Sequence, residues 1–430
     1  MLTLMIVIFV LGYLAIALEH PLKIDKAGTA LITGVLVWTF YVLAGVEHSF
    51  IEKELFHHLS EISGILFFLM GAMTIVELID AHEGFSIITD KIKTRNRVRL
   101  LWIVSILTFF FSAALDNLTT SIVMISLLRK LIDDKNDRWF FAGFVIIAAN
   151  AGGAWSPIGD VTTTMLWIGE QLTTMTIIKT LIVPSLVAML VPLLYLTFTL
   201  KGEVTRPEKT KVLEHYMNPT TPFERNLVFF LGLAGLLFVP VFKTWTHLPP
   251  FMGMMFSLGV LWIATEIIHR KKNTEGKSQL SVIGVLRKID TASVLFFLGI
   301  LLAVAGLQTA GHLAVVAERL EVWFGGDIYL INVVIGLLSA IVDNVPLVAG
   351  AMGMYEIASV GDFAQDGTFW QFLAFCAGTG GSALIIGSAS GVAVMGLEKI
   401  DFVWYLKKIS ILALIGYFAG AGTYILLQSI

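Results

Sequence analysis

"SPIGDVTTTMLW", Ser156 to Trp167, sets a proline, a glycine and an aspartate inside a run otherwise apolar enough to lie in a bilayer. A helix broken in lipid leaves backbone N–H and C=O groups without partners, at several kcal/mol each. It is tolerated only where protein or a water-filled cavity covers the break. A carboxylate at that depth costs a further ~2.5–3.5 kcal/mol on insertion scales, which makes it a functional hypothesis by default. The stretch predicts a broken membrane helix built around a site.

The surrounding chain fits that reading. Its 430 residues are 57% hydrophobic and 14% charged, with mean hydropathy +0.84, whereas soluble domains carry about 25% charged residues. Apolar runs near 20 residues recur, each long enough to cross a bilayer. Spans are expected near 1–18, 27–46, 60–81, 138–169, 175–200, 224–243, 249–270, 291–310, 367–397 and 402–429. The class is an all-α polytopic membrane protein. The apolar start lacks the basic flank and small-residue cleavage site of a signal peptide and reads as a true span. The single cysteine, Cys376, excludes a disulfide framework and a cysteine metal cluster. The net charge of −3 says little, and no stretch of soluble composition is long enough for a second domain.

Two further apolar segments, 97–132 and 328–358, are too long for one span and too short for two. Each carries an Asp-Asn pair near its middle, Asp116-Asn117 and Asp343-Asn344. These predict re-entrant helical hairpins with polar tips. The charge distribution supports re-entry. If both hairpins leave on the side they enter, one face holds all of the 29 Lys and Arg except Lys53, Lys179, Lys243 and Arg319. Cytoplasmic loops are the ones enriched in Lys and Arg, so both termini are expected outside the cytoplasm. The segment Ser86 to Arg99 reads as a basic interfacial helix. The stretches 201–222 and 271–290 read as polar linkers.

Matching stretches recur roughly 228 residues apart, the sign of an internal repeat. "FFLMGAMTIVEL" from Phe67 matches "FFLGILLAVAGL" from Phe296. "FSAALDNLTTSIV" from Phe111 matches "LLSAIVDNVPLVAG" from Leu337. "NAGGAWSPIGDVT" from Asn150 matches "GTGGSALIIGSAS" from Gly378. Each half, 1–200 and 223–430, has five spans and one hairpin. Five is odd, so the second half is expected to run inverted. Inverted repeats with broken helices are an architecture of secondary transporters, with the site near the midplane.

The residues converging there are oxygen-rich: Asp116, Asn117, Thr119 and Thr120; Asn150, Ser156, Asp160, Thr162 and Thr163; Asp343 and Asn344; Thr379, Ser382, Ser388 and Ser390. Breaks are expected between Asn150 and Thr162 and between Gly378 and Gly391. No Lys or Arg lies in these segments to pair with the three aspartates. Carboxylates, hydroxyls and freed carbonyls suit a hard cation, and one carboxylate can hold a proton or a metal ion, which suffices for exchange. The bland readings are that Asp-Asn caps the second half-helix of each hairpin, and that the serines only pack helices. Glu77 and Glu266 are expected to reach the interface, and His48, His57 and His58 to be solvated on the outer face.

"SAALDNLTTS" (112–121) and "NAGGAWSPIGDVTTTMLW" (150–167), with "VDNVPLV" (342–348) and "GTGGSALIIGSASGVAVMG" (378–396), resemble the NhaD-type sodium/proton antiporters of the ion transporter superfamily. The resemblance implies export of Na+ or Li+ driven by proton influx, favoured at alkaline pH, in a bacterial inner membrane. It carries functional positions onto Asp116, Asn117, Asn150, Asp160, Thr162, Thr163, Asp343, Asn344 and Ser382. Dicarboxylate-carrying relatives have Ser-Asn-Thr tips; aspartate in place of that serine would repel an anion. With Ser388 standing where Asp160 stands in the first half, the main cation site is expected there. It would have Asp160 opposite the Asp116 hairpin and Asp343 as a partner in proton exchange or gating. No cofactor is expected beyond the transported Na+ or Li+ and H+. The expected partners are the lipid bilayer, monovalent cations and protons, with no nucleic acid; a homodimer is left open. The rival readings are an arsenite or other metal-oxyanion exporter, a cation channel, and a membrane-embedded enzyme. No HExxH motif or serine/cysteine nucleophile beside a membrane histidine supports the last.

Overall fold

The computed structural model describes residues 2–17, 19–89, 91–207, 220–270, 280–341 and 343–429. Most of the first linker and the start of the second therefore lie outside the described residues. Eight described helices are long and apolar enough to span a membrane.

The first half runs α1 (Leu2–Ala17), α2 (Lys26–Leu43), α3 (His48–Ala81), α4 (Arg97–Leu115), α5 (Asn117–Leu131), α6 (Lys135–Ala154), α7 (Val161–Ile168) and α8 (Thr174–Thr199). The second runs α9 (Pro222–Thr246), α10 (Pro250–Ile268), α11 (Thr291–Thr309), α12 (His312–Phe324), α13 (Ile328–Leu338), α14 (Asn344–Met354), α15 (Thr368–Gly380), α16 (Ala389–Glu398), α17 (Phe402–Lys408) and α18 (Ser410–Gln428). Side-chain oxygens start most of them. Asn96, Asp134, Asp327 and Asp401 cap α4, α6, α13 and α17, and Thr221 with Glu224 forms a capping box on α9.

Both hairpins double back. The start of α4 and the end of α5 meet the same loop, Asn96 bridging Glu203 and the Asp133 N–H donating to the Thr205 carbonyl at 2.9 Å. The start of α13 and the end of α14 meet the start of α15, through Tyr329 on Phe372 and Tyr355 on Phe369.

The helices sort into two bundles. One is α1, α2, α3, α9, α10 and α11, with α2 and α11 packed along their lengths. Gly34 lies so close to Gly299 that a Cβ would sit 2.6 Å from its carbonyl oxygen, and Trp38 donates to the Leu302 carbonyl, the small-residue packing of membrane helices. The other holds both hairpins and both broken helices. Its centre is α6 and α15: every residue from Phe141 to Ala154, and from Phe369 to Gly380, is buried. Helices apolar all round belong in such a place. An apolar cleft of about 980 Å³, lined from α4, α9 and the break at Trp155 to Ile158, lies between the bundles.

Several expectations need correction. The third span begins at His48, not residue 60, so His57 and His58 lie on a helix. His58 is buried and hydrogen-bonded to the Thr309 hydroxyl at 3.1 Å, not solvated. Among the described residues the 86–99 segment is helical at Ser86–Thr89 and again from Arg97, where α4 starts; Arg206 donates to the Ile92 and Thr94 carbonyls and Glu203 bridges Asn96. The last span bends at Ile409. Helix α12 was not foreseen; its thirteen residues include Glu318, Arg319 and Glu321, and it meets α13 at 115°.

Candidate functional site

The breaks are tighter than the glycines suggested. Helix α6 continues through Gly152 and Gly153 to Ala154, and only residues 155–160 are unwound before α7. Asn150 is therefore helical and offers its side chain, not its carbonyl. The glycines serve close approach: a Cβ on Gly152 would lie 2.2 Å from the Phe109 carbonyl oxygen of the hairpin. The contact recurs in the second half, where a Cβ on Gly380 would lie 2.0 Å from the Gly336 carbonyl oxygen. Likewise Ser112 donates to the Ala149 carbonyl and Ser339 to the Ala377 carbonyl. These bonds fasten each hairpin arm to its own broken helix.

Asp160 ends the first break and caps α7. Its Oδ1 accepts from the Thr162 N–H at 2.8 Å and the Thr162 hydroxyl at 2.5 Å. Two hairpin-tip amides reach it from opposite halves: Asn117 Nδ2 at 2.5 Å to Oδ2, and Asn344 Nδ2 at 3.5 Å to Oδ1. Asn117 also donates to Asn150 Oδ1, which accepts from Ser390 at 2.7 Å. Asn150 Nδ2 lies 3.0 Å from both Ser382 Oγ and Ser388 Oγ. One buried net thus joins Asn117, Asn150, Asp160, Thr162, Asn344, Ser382, Ser388 and Ser390. The serines do more than pack helices. Ser388 starts α16 as Asp160 starts α7, with nearly the same backbone conformation.

The first hairpin tip does stand opposite Asp160, but the residue that bonds to it is Asn117 and not Asp116. With φ 84° and ψ 159° its backbone is turned out of the helical path. Its carboxylate accepts from the Thr119 N–H at 2.8 Å and the Thr119 hydroxyl at 2.7 Å, capping α5. The turn at Asp116 delivers Asn117, not Asp116, into hydrogen-bond reach of Asp160. Asp343 caps α14 through the Val345 N–H at 3.3 Å. It is not unpaired: Lys26 Nζ lies 3.5 Å from its Oδ2. Thr163 is turned to the Ala154 carbonyl, and Thr379 to the Phe375 carbonyl within its own helix, so neither joins the net. Ser156 closes the break onto Ala113. Thr120 Oγ1 is buried without a hydrogen-bond partner.

Sequence reasoning missed Lys26 and Tyr405, whose hydroxyl donates to the Ser382 carbonyl at 2.8 Å. Lys26 carried one signal: a lysine at the first turn of a helix sits against the helix dipole.

Two polar cavities approach from either end. One of about 100 Å³ is lined by Glu77, Asp80, Asp290 and Thr119, the partner of Asp116. The other, about 270 Å³, is lined by His58, Glu61, Gln171 and Gln308 and reaches Met165 of α7 and Ala349 of α14. Among the described residues no three His, Cys, Asp or Glu side chains converge as a multivalent-metal cage. A single carboxylate ringed by amides and hydroxyls matches one positive charge, not the several anionic oxygens a Ca²⁺ site collects.

Two hairpins and two broken helices closing on one buried carboxylate define a polytopic, ion-coupled membrane carrier. Comparison with known proteins agrees. A family model described as citrate transporter matches residues 6–367. Sodium/proton antiporter 1 of Arabidopsis thaliana is 48% identical over 99% of this chain and 72% of its own length. Sodium/proton antiporter 2 of the same plant is 46% identical over 98% of both chains. The Na+/H+ antiporter NhaD of Vibrio cholerae is 31% identical over 98% of this chain and 91% of its own. The chain belongs to this transporter family, and within it to the NhaD-type antiporters.

Proposed function

We propose that the protein exports Na+ or Li+ in exchange for external H+ by alternating access, a secondary active carrier and not an enzyme. The observation that carries this reading is Asp160, 1% exposed, clasped by Asn117 and Asn344 from the two hairpin tips and by Thr162. A carboxylate has about four lone-pair sites. Oδ2 accepts only one hydrogen bond, from Asn117, so an oxygen remains open to a proton or a cation. The two ions compete for it, and either one alone neutralises the carboxylate. The relatives named sodium/proton antiporters favour this reading over oxyanion export.

In the same reading the site comprises Asp116, Asn117, Thr120, Asn150, Asp160, Thr162, Thr163, Asp343, Asn344, Ser382 and Ser388, with the cation held mainly by the first half. The halves 1–200 and 223–430 are inverted repeats joined by a cytoplasmic linker, a reading supported by the matched hairpin contacts at Gly152 and Gly380. The membrane is a bacterial inner membrane and both termini lie outside the cytoplasm, supported by the one-sided distribution of Lys and Arg.

The test is exchange in everted vesicles with an acidified lumen. Addition of Na+ or Li+ should release protons, read as dequenching of a pH dye, and apparent Na+ affinity should tighten as rising pH removes the competing proton. Citrate or arsenite flux without cation-linked proton movement would overturn the reading.

A further inference from the structure

The second hairpin tip differs from the first in one decisive way. In the first tip, "DNLT", Thr119 supplies an N–H and a hydroxyl to the Asp116 carboxylate. In the second, "DNVP", the matching residue is Pro346, which has neither. Asp343 keeps only the Val345 N–H at 3.3 Å, on Oδ1. Its Oδ2 is met instead by Lys26 Nζ at 3.5 Å, and that ammonium also lies 4.5 Å from the centre of the Phe296 ring.

The lysine is costly where it stands. It is the first residue of α2, where the helix dipole disfavours a cation, and its side chain is only 18% exposed. Asp343 is 12% exposed. Breaking such a pair from one side leaves a buried charge uncompensated. The pair also crosses the two bundles, since Lys26 belongs to α2 and Asp343 to the hairpin that packs beside α11.

We propose that Lys26 is a resident cation for Asp343, occupying the second tip so that it holds no transported ion while α2 and the hairpin are together. When the hairpin moves away from α2 the ammonium must let go, and the freed carboxylate then draws in or releases the exchanged ion. Lys26 acts through Asp343 and is a positioning residue. What the pair does rests on the exchange reading above; that the pair exists does not.

The test is a cycle of four proteins: wild type, Lys26→Met, Asp343→Asn and the double variant, with Lys26→Arg as a rescue. In Lys26→Met, Na+ takes the vacated place. Its apparent affinity should tighten by about fivefold, the low end of coupling between ligands that share a site, while turnover falls. Lys26→Arg should behave as wild type. In the double variant the affinity change should vanish into that of Asp343→Asn. Melting temperatures of the purified proteins form a second cycle that needs no transport. There the two substitutions should be strongly non-additive, with the neutral double variant recovering stability lost by Lys26→Met. Exchange absent from wild type with this coupling intact would sink the function and leave the pair standing. Unchanged affinity and turnover in Lys26→Met, or additive effects in both cycles, would overturn the assignment of Lys26.

Discussion

At the scale of single residues, the centre depends on one charge and its amide clasp. Asp160→Asn keeps the shape and the Thr162 cap but removes the charge that both ions share. The expected result is loss of Na+/H+ exchange in vesicles with normal membrane insertion; near-normal exchange would remove Asp160 from the site. Asn117 makes two side-chain bonds to buried partners, Asn150 and Asp160. Asn117→Ala leaves these partners short of a donor, at about 1–3 kcal/mol per unsatisfied group. Apparent Na+ affinity should therefore weaken by at least about tenfold, the equivalent of ~1.4 kcal/mol, when antiport is titrated with Na+. Asp116 separates capping from charge. Asparagine is as good a cap as aspartate, so Asp116→Asn should keep the melting temperature. Loss of exchange in that variant would show that its charge matters beyond the cap.

At the scale of elements, close backbone approach fastens each hairpin to its own broken helix and one charge cluster joins the halves. Any side chain at Gly152 or Gly380 meets a carbonyl oxygen at 2.2 or 2.0 Å, and overpacking costs about 1–3 kcal/mol or more. Gly152→Ala should lower the apparent melting temperature in detergent by several degrees. A wild-type value would mean the hairpin arm can move aside freely. Glu398 at the end of α16 is gripped by Arg129 Nε at 2.6 Å and Arg138 Nε at 2.7 Å, from α5 and α6. Its own side chain is nearly buried while Arg129 is half exposed. Glu398→Gln leaves two arginines of the first half side by side without the carboxylate they share. The expected loss, about 1–3 kcal/mol after solvent screening, should appear as a lower melting temperature that added salt partly restores.

At the scale of the whole molecule, the hairpin tips are reached from opposite ends. Thr119 lines the small acidic cavity with Glu77 and Asp80, and Met352 lines the larger cavity with His58 and Gln308. In a Cys376→Ser background, a cysteine at 119 should react faster with a membrane-impermeant thiol reagent applied from the cytoplasm, and one at 352 faster from outside. Equal labelling of both from one side would refute the inverted arrangement. The two-bundle division gives such access a physical basis. Contacts are dense within each bundle and sparser across the apolar cleft, so relative movement would have to break chiefly the Lys26–Asp343 pair, the bond from Lys243 to the Trp167 carbonyl and the α11–α14 contact.

The sequence by itself determined the class, an all-α polytopic membrane protein, and marked where apolar helices are interrupted. Those features are local. Hydropathy over some twenty residues decides what can lie in lipid, and a glycine, proline or aspartate inside such a run marks its own break, as Gly159 and Asp160 do. What the tertiary structure alone decided is which polar groups meet. Each residue turns a helix by about 100°, so whether Asp116 or Asn117 faces Asp160 rests on the backbone angle at a single tip. The grip of Asn150 on Ser382 and Ser388, and of Lys26 on Asp343, joins residues hundreds of positions apart. No periodicity or composition encodes these pairings. They follow from the depth and rotation at which separate helices dock, and these are set by close packing at contacts such as Gly34–Gly299 and Gly380–Gly336.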